Sequence, residues 1–368
     1  MTEVATASPS LAGIAELPDQ STVVCCGSGG VGKTTTAAAI ALEGARRGRR
    51  ACVVTIDPAK RLANALGLDR LENDPRRIDG DRLAGHGLEV AGELWAMTLD
   101  PKRTFDDLIV GLSPDERTRE DVLGNRIYQQ ISGAVAGSQE YTAMAKLYEL
   151  HRDGGFDVIV LDTPPSRNAL DFLDAPDRLT SFLEGRALRA FLAPTGLAAK
   201  VVGRGTSVVF SALKRVTGVE LLEDLSTFFR SLGGLLAGFR ERAEGVQALL
   251  ASSDAAFLVV ASPEHEPVRE AIYFGGKLRE AGLPFAGLIV NRVHEPVRGG
   301  VPAGLAPGLA DRVRQAAAEL DALADRDAAA IERLRDELEP EHVTVIPHLP
   351  DDVHDVDGLV TIHDHLAG

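Results

Sequence analysis

Cationic charge, thiols and long apolar runs are all scarce in this chain of 368 residues. Lys and Arg number 39 against 54 Asp and Glu, a net charge of −15. That deficit argues against holding nucleic acid by phosphate neutralisation and against electrostatic docking on anionic lipid. Three cysteines occur, Cys25, Cys26 and Cys52, and no CxxC pair. Neither a disulfide framework nor a thiolate zinc site follows from them. They read as reduced thiols buried in two neighbouring strands of a cytosolic protein. No window of about 18 uninterrupted apolar residues exists, so a membrane span is not expected. Residues 1–18 lack the positive start and apolar stretch of a signal peptide and read as a disordered tail. The expected location is the cytoplasm, or at most the membrane periphery. No internal repeat is present. What remains, 45% hydrophobic and 25% charged residues, is the profile of a soluble protein with a sizeable core.

Apolar runs alternate with helical stretches. Ser21–Cys26 precedes an Ala-rich helix from Lys33 to about Arg47, and Ala51–Ile56 follows. Later runs are Leu94–Thr98, Asp157–Leu161, Ala256–Ala261, Phe285–Val290 and His342–Ile346. Several are continuous in Val, Ile and Leu, as parallel strands covered on both faces require. The pattern predicts an α/β fold, a mostly parallel doubly wound sheet with right-handed crossovers. Residues 101–152 and 177–250 break the alternation with helical patterns, among them Asn125–Ser132 and Gln139–Arg152. The economical reading is one P-loop domain over residues 19–368, with an α-helical subdomain formed by these two insertions and resting on the sheet. Glu295–Leu309, rich in Gly and Pro, reads as a mobile loop before a polar helix to about Leu338.

Gly27-Ser28-Gly29-Gly30-Val31-Gly32-Lys33-Thr34 fits G-x-x-x-x-G-K-T, and it follows a strand and opens a helix, the context the motif requires. The glycines let the backbone curl so that its N–H groups face phosphate oxygens, and the helix N-terminus adds partial positive charge. In that role Lys33 reaches the β- and γ-phosphates of ATP, Thr34 binds Mg²⁺ through its hydroxyl, and Thr35 donates to the α-phosphate. Asp162 ends the apolar strand Phe156–Asp162, where a carboxylate beside the P-loop meets the Mg²⁺ shell. Asp57 ends the second strand in the same way, on the rim where parallel strands present their C-termini. It could orient the attacking water or hold Mg²⁺ through water. It could equally be the N-cap of a helix over Ala59–Leu66, since Asp-Pro is a good helix start. Spacing alone does not separate these roles. His342, His348, His354, His363 and His365, with Asp351, Asp352, Asp355 and Asp357 among them, span a strand, a loop and a terminal helix. They read as a solvated surface in preference to a metal site.

Taken together, Gly27–Thr35, Thr55-Ile-Asp-Pro-Ala-Lys-Arg-Leu62 and Asp162-Thr-Pro-Pro-Ser-Arg-Asn-Ala-Leu-Asp-Phe-Leu173 closely resemble the deviant Walker A P-loop ATPases. Within them the chain looks most like the arsenite-pump ATPase and tail-anchored-protein targeting ATPase family, as a bacterial anion-transporting ATPase-like member. The resemblance implies ATP and Mg²⁺ as ligands and a dimer as the working unit. It makes Asp57 the switch I carboxylate that positions water, and Asp162 to Asn168 switch II, sensing the γ-phosphate. It places Asn291 and Pro347 against adenine. By residue type alone, an Asn amide beyond a strand pairs with a purine edge or makes a turn.

The chain departs from the family in one charge. The family's P-loop usually carries a lysine at its second position, understood to cross the dimer interface like an arginine finger, and here that residue is Ser28. Three readings follow: a heterodimer with a paralogue that keeps the lysine, a substitute cation from Lys60, Arg61 or Arg167, or a slow ATPase that works through binding. The arsenite pumps' cysteine trio, the targeting ATPases' CxxC zinc clasp and the cysteines of an iron–sulfur relative are missing. So is a terminal basic amphipathic helix. Residues 178–250 could offer a groove to a hydrophobic client helix, although packing against itself and the sheet is the default reading and the stretch has no methionine. The expected function is an ATP-hydrolysing, Mg²⁺-dependent dimeric switch coupled to partner or cargo binding. Alternatives are a weakly hydrolysing regulatory subunit and a membrane-protein targeting chaperone.

Overall fold

The computed structural model describes residues 21–57, 60–131, 138–164, 219–300, 305–353 and 355–367. Eight strands form one sheet: β1 (Ser21–Cys26), β2 (Arg50–Thr55), β3 (Arg76–Arg77), β4 (Glu93–Thr98), β5 (Val158–Asp162), β6 (Ala255–Ala261), β7 (Phe285–Val293) and β8 (Val343–Pro347). Their order is β3-β4-β2-β5-β1-β6-β7-β8. Every pairing is parallel except β3 with β4. All residues of β1, β5 and β6 are buried, which is why those runs are continuous in apolar residues and do not alternate. The fold is the mixed α/β, mostly parallel sheet of a P-loop NTPase. β3 has two arginines and no apolar pattern to betray it; short and charged, it is a typical edge strand.

One expectation needs correction. β1 and β2 are not neighbours, because β5 lies between them. Cys25 and Cys26 on β1 are therefore a full strand apart from Cys52 on β2. Consecutive strands are adjacent only about two-thirds of the time, and doubly wound order places a later strand at the centre.

The helices are α1 (Lys33–Arg46), α2 (Arg61–Ala65), α3 (Gly80–Ala84), α4 (Pro101–Leu112), α5 (Glu116–Leu123), α6 (Arg126–Ile131), α7 (Ser138–Arg152), α8 (Val219–Leu250), α9 (His265–Glu280), α10 (Pro307–Leu338) and α11 (Val356–Ala367). Helix α1 packs on β2 and β5 on one side and on α11 on the other. Ala37 to Leu42 are all 0% exposed. A helix covered all round has no polar face to show, and its alanines let the backbones approach. Gly44 sits where a Cβ would come within 3.3 Å of the Ala51 side chain.

The chain divides into two compact units. One comprises residues 1–99, 150–170 and 250–368 and carries the sheet; the other comprises 100–149 and 171–249. In the second unit Leu108, Ile109, Tyr128, Phe228, Leu235 and Phe239 form a core of their own. Phe105 stacks on Tyr128 and Phe239 at 6.1 and 5.8 Å between ring centres. The described part of the apolar stretch 178–250 thus buries side chains against its own unit. Its remainder, Arg167 and the tail 1–18 lie outside the described residues. Among the described residues no helix is long and apolar enough to cross a membrane.

The C-terminal histidines are not all on a solvated surface. His363 is 0% exposed, and its Nε2 lies 2.6 Å from Glu43 Oε2 on α1. It faces inward because α11 covers α1, a contact that a terminal sequence cannot announce. Among the described residues no group of three or more His, Cys, Asp or Glu could hold a metal ion.

All three cysteines are buried. Burial pushes the Cys26 thiol up to about 12 and holds Cys25 well above its ordinary value, with the Asp162 carboxylate adding to the effect at Cys25. A thiol reacts as thiolate. Native protein at pH 8 is therefore expected to release less than one equivalent in a thiol titration, and three after denaturation. Rapid native reaction of two or more would contradict this packing.

Candidate nucleotide-binding site

After β1 the chain must reverse into α1 within residues 27–32, and sterics fix the two glycines that bound the loop. At Gly27, with φ 148°, a Cβ would lie 2.0 Å from the Val260 carbonyl oxygen on β6. At Gly32, with φ 96°, it would lie 2.3 Å from Asn291 Nδ2. Only glycine fits these positions. Gly32 is also the N-cap of α1, makes no side-chain cap bond, and has no acidic residue in the following turn. The first-turn N–H groups and the positive end of the helix are thus left for another acceptor. The Lys33 ammonium folds back and donates to the Ser28 carbonyl oxygen at 2.7 Å. Burial lowers its pKa, and the Asp162 carboxylate opposes that shift.

Sheet register determines what stands beside Asp162. It ends β5 level with Cys25 of β1 and Thr55 of β2. The Thr55 hydroxyl donates to Asp162 Oδ2 at 2.8 Å, and the Thr34 hydroxyl, from the first turn of α1, donates to the same oxygen at 2.7 Å. The other oxygen, Oδ1, is buried without a partner among the described residues. An unpaired buried acceptor costs about 1–3 kcal/mol. Burial accordingly raises the Asp162 pKa, outweighing the two hydroxyl bonds and the Lys33 charge. An orphaned carboxylate oxygen beside a threonine hydroxyl is an all-oxygen donor set, which fits a hard cation such as Mg²⁺.

Asp57 follows two residues after Thr55, and its backbone N–H donates to the Thr55 hydroxyl at 3.2 Å. The next helix, α2, opens at Arg61 with Lys60 as N-cap and no side-chain cap bond. Asp57 is therefore not that helix's cap, and it lines the cavity instead. Arg61 Nη1 lies 3.8 Å from Asp57 Oδ2.

These groups surround a cavity of about 830 Å³. Gly30, Gly32, Lys33, Thr34 and Thr35 line it together with Asp57, Asp162, Asn291 and Pro347. Gly27, Gly29 and Val31 shape the loop without lining the cavity. Val31 is buried, and its carbonyl oxygen accepts from Asn291 Nδ2 at 2.9 Å. Asn291 thus lies inside β7, not beyond it, and braces the P-loop. Its Oδ1 accepts from the Arg292 N–H at 2.9 Å. Arg292 takes a positive φ of 61°, and the pairing of β7 with β8 shifts register between Val290 and Val293.

Sequence reasoning missed Thr55, whose role comes from register, and a second cluster in which His294 and His348 line the cavity. The backbone N–H and Nδ1 of His294 lie 2.9 and 2.7 Å from Asp327 Oδ2. His348, next to Pro347, stacks on His294 with ring centres 4.9 Å apart. Asp327 is 0% exposed. Burial alone would raise its pKa, but the His294 bonds and Arg326 hold it below the usual carboxylate range. Nothing in the spacing of residues 294, 327 and 348 signals that contact.

The family profile described as "Anion-transporting ATPase" matches residues 20–368. Among curated proteins, ATPase GET3 of Podospora anserina is 29% identical over 160 residues, 43% of each chain. ATPase get3 of Aspergillus terreus is 29% identical over 178 residues, 48% of each. ATPase GET3 of Pyricularia oryzae is 29% identical over 178 residues, 48% of this chain and 49% of the relative. The chain thus spans about half the length of the curated relatives it matches.

Asp162→Asn removes the buried charge and keeps an acceptor for both threonines. A raised carboxylate pKa means that the native state penalises the charged form, so wild-type stability falls as pH rises through the folded pKa. In metal-free buffer at pH 8 the variant is expected to melt no lower than wild type, and up to about 4 °C higher. The gap should close on acidification. A variant that melts well below wild type at pH 8 would contradict the penalty.

Proposed function

The chain belongs to the anion-transporting ATPase family, and from that premise we propose that it hydrolyses Mg·ATP to ADP and phosphate as a dimeric switch. One observation carries the reading: Asp162 joins the P-loop to β2 through a single oxygen and leaves the other unpaired beside Thr34. Thr34 and Asp162 would hold Mg²⁺, with Asp57 reaching it through water. When bound, the ion supplies positive charge to the phosphate oxygens. The N–H groups of Gly29 to Thr35 cradle the phosphates, and Lys33 exchanges the Ser28 carbonyl for β- and γ-phosphate oxygens. Asp57 orients the attacking water. Asn291 and Pro347 meet adenine, and Asn291 can do so with its second N–H while the first still braces Val31.

Switching follows from the same bonds. A γ-phosphate that draws Lys33 off Ser28 and sets water against Asp57 acts on the ends of β2 and β5 together. We infer that this movement is passed to a second protomer and to a partner or cargo, with a hydrophobic helix as one class of client. The proposed location is the cytoplasm, or the membrane periphery when a client is delivered.

Ser28 favours a second reading, a weakly hydrolysing subunit paired with a paralogue that retains the lysine. Single-turnover hydrolysis by the purified chain separates the two. The switch reading predicts measurable turnover alone, lowered about 100-fold or more in Asp57→Ala with nucleotide affinity kept. Lys33→Ala is expected to lose affinity as well. Turnover that arises only when a lysine-bearing paralogue is added would favour the regulatory reading.

A further inference from the structure

We propose that Arg61 supplies, from within its own subunit, the positive charge that Ser28 cannot. This rests on ATP hydrolysis at the cavity described above. The Ser28 side chain is uncharged, and its carbonyl oxygen already engages Lys33. Besides Lys33, the arginines lining the cavity among the described residues are Arg61 and Arg292. Arg292 is turned to a different carboxylate, with Nη2 4.0 Å from Asp352 Oδ1. Arg61 lies at the carboxylate end, 3.8 Å from Asp57. Lys33, Thr34 and Asp162 line the cavity at that end, with the Asp57 charge acting on both Lys33 and Asp162. Lys60 is exposed and does not line the cavity.

The Arg61 side chain is 64% exposed against 17% for Asp57. An exposed ion pair contributes little to stability, so phosphate can replace it. A planar guanidinium matches two phosphate oxygens and carries charge at any working pH. The exchange does two things together: it places a cation on the γ-phosphate and moves Arg61 off the Asp57 carboxylate, which then hydrogen-bonds to water. In the step that follows, the water oxygen bonds to the γ-phosphorus. The bond from that phosphorus to the β,γ-bridging oxygen breaks, and its electron pair leaves with ADP. The water's proton ends on inorganic phosphate. Arg61 forms no covalent bond and neutralises charge throughout.

The test compares wild type, Arg61→Ala and Arg61→Lys in single-turnover hydrolysis and in calorimetric binding of ADP, with and without aluminium fluoride as a mimic of the transferring phosphoryl group. Arg61→Ala is expected to lower the rate about 100-fold or more, in the range seen on removal of one transition-state donor. It should weaken the ADP–aluminium fluoride complex by a similar factor while ADP alone binds within about twofold of wild type. Arg61→Lys should recover part of both losses. An Arg61→Ala protein with wild-type rate and wild-type affinity for the mimic overturns the proposal and leaves the ATPase reading intact. A wild-type protein that neither hydrolyses ATP nor binds the mimic overturns both.

Discussion

A single carboxylate oxygen holds the site together. Asp162 Oδ2 takes one hydroxyl bond from Thr34 on the helix after the P-loop and another from Thr55 at the end of β2. Three segments distant in sequence are thereby fixed to one point. The arrangement exists because β5 runs between β1 and β2, with Asp162 in register with both Cys25 and Thr55. Its cost is an unpaired, buried Oδ1. A protein selected for stability alone would fill that position with a neutral, satisfied group. The proposed Mg²⁺ would satisfy that open oxygen.

The P-loop itself is shaped from outside. Gly27 lies against the Val260 carbonyl, and Gly32 against Asn291, which in turn bonds to Val31. Asn291 reaches the loop from β7, where the pairing with β8 loses register and Arg292 adopts a left-handed backbone. Such a conformation costs a non-glycine residue roughly 1–3 kcal/mol and persists where surrounding structure imposes it. Here the Asn291 side chain accepts the Arg292 N–H and holds the turn. Another part of the cavity lining is tied as firmly: buried Asp327 takes both the backbone and the ring of His294, against which His348 stacks.

How much of this was legible depended on whether the signal was local. The P-loop could be read because its glycines, lysine and threonine are contiguous, and the central strands because burial on both faces leaves unbroken apolar runs. Asp162 could be found as a strand-ending carboxylate after a P-loop. Thr55 could not, since its part depends on which strand lies beside β2. The placing of Cys52 next to β1 failed for the same reason. His363 looked like part of a polar terminus because its partner, Glu43, is more than three hundred residues away in the chain. Asp57 was ambiguous between cap and site; the helix starts at Arg61 with Lys60 as its N-cap, which removes the cap reading.

The proposed metal and nucleotide roles rest on the groups around Asp162. The most direct measurement is calorimetric binding of a non-hydrolysable ATP analogue to the wild-type chain, once with Mg²⁺ and once with the ion chelated. The account predicts at least about tenfold tighter binding with the ion, equivalent to about 1.4 kcal/mol. Equal affinity in the two buffers would contradict the assignment of Asp162 and Thr34 to the metal.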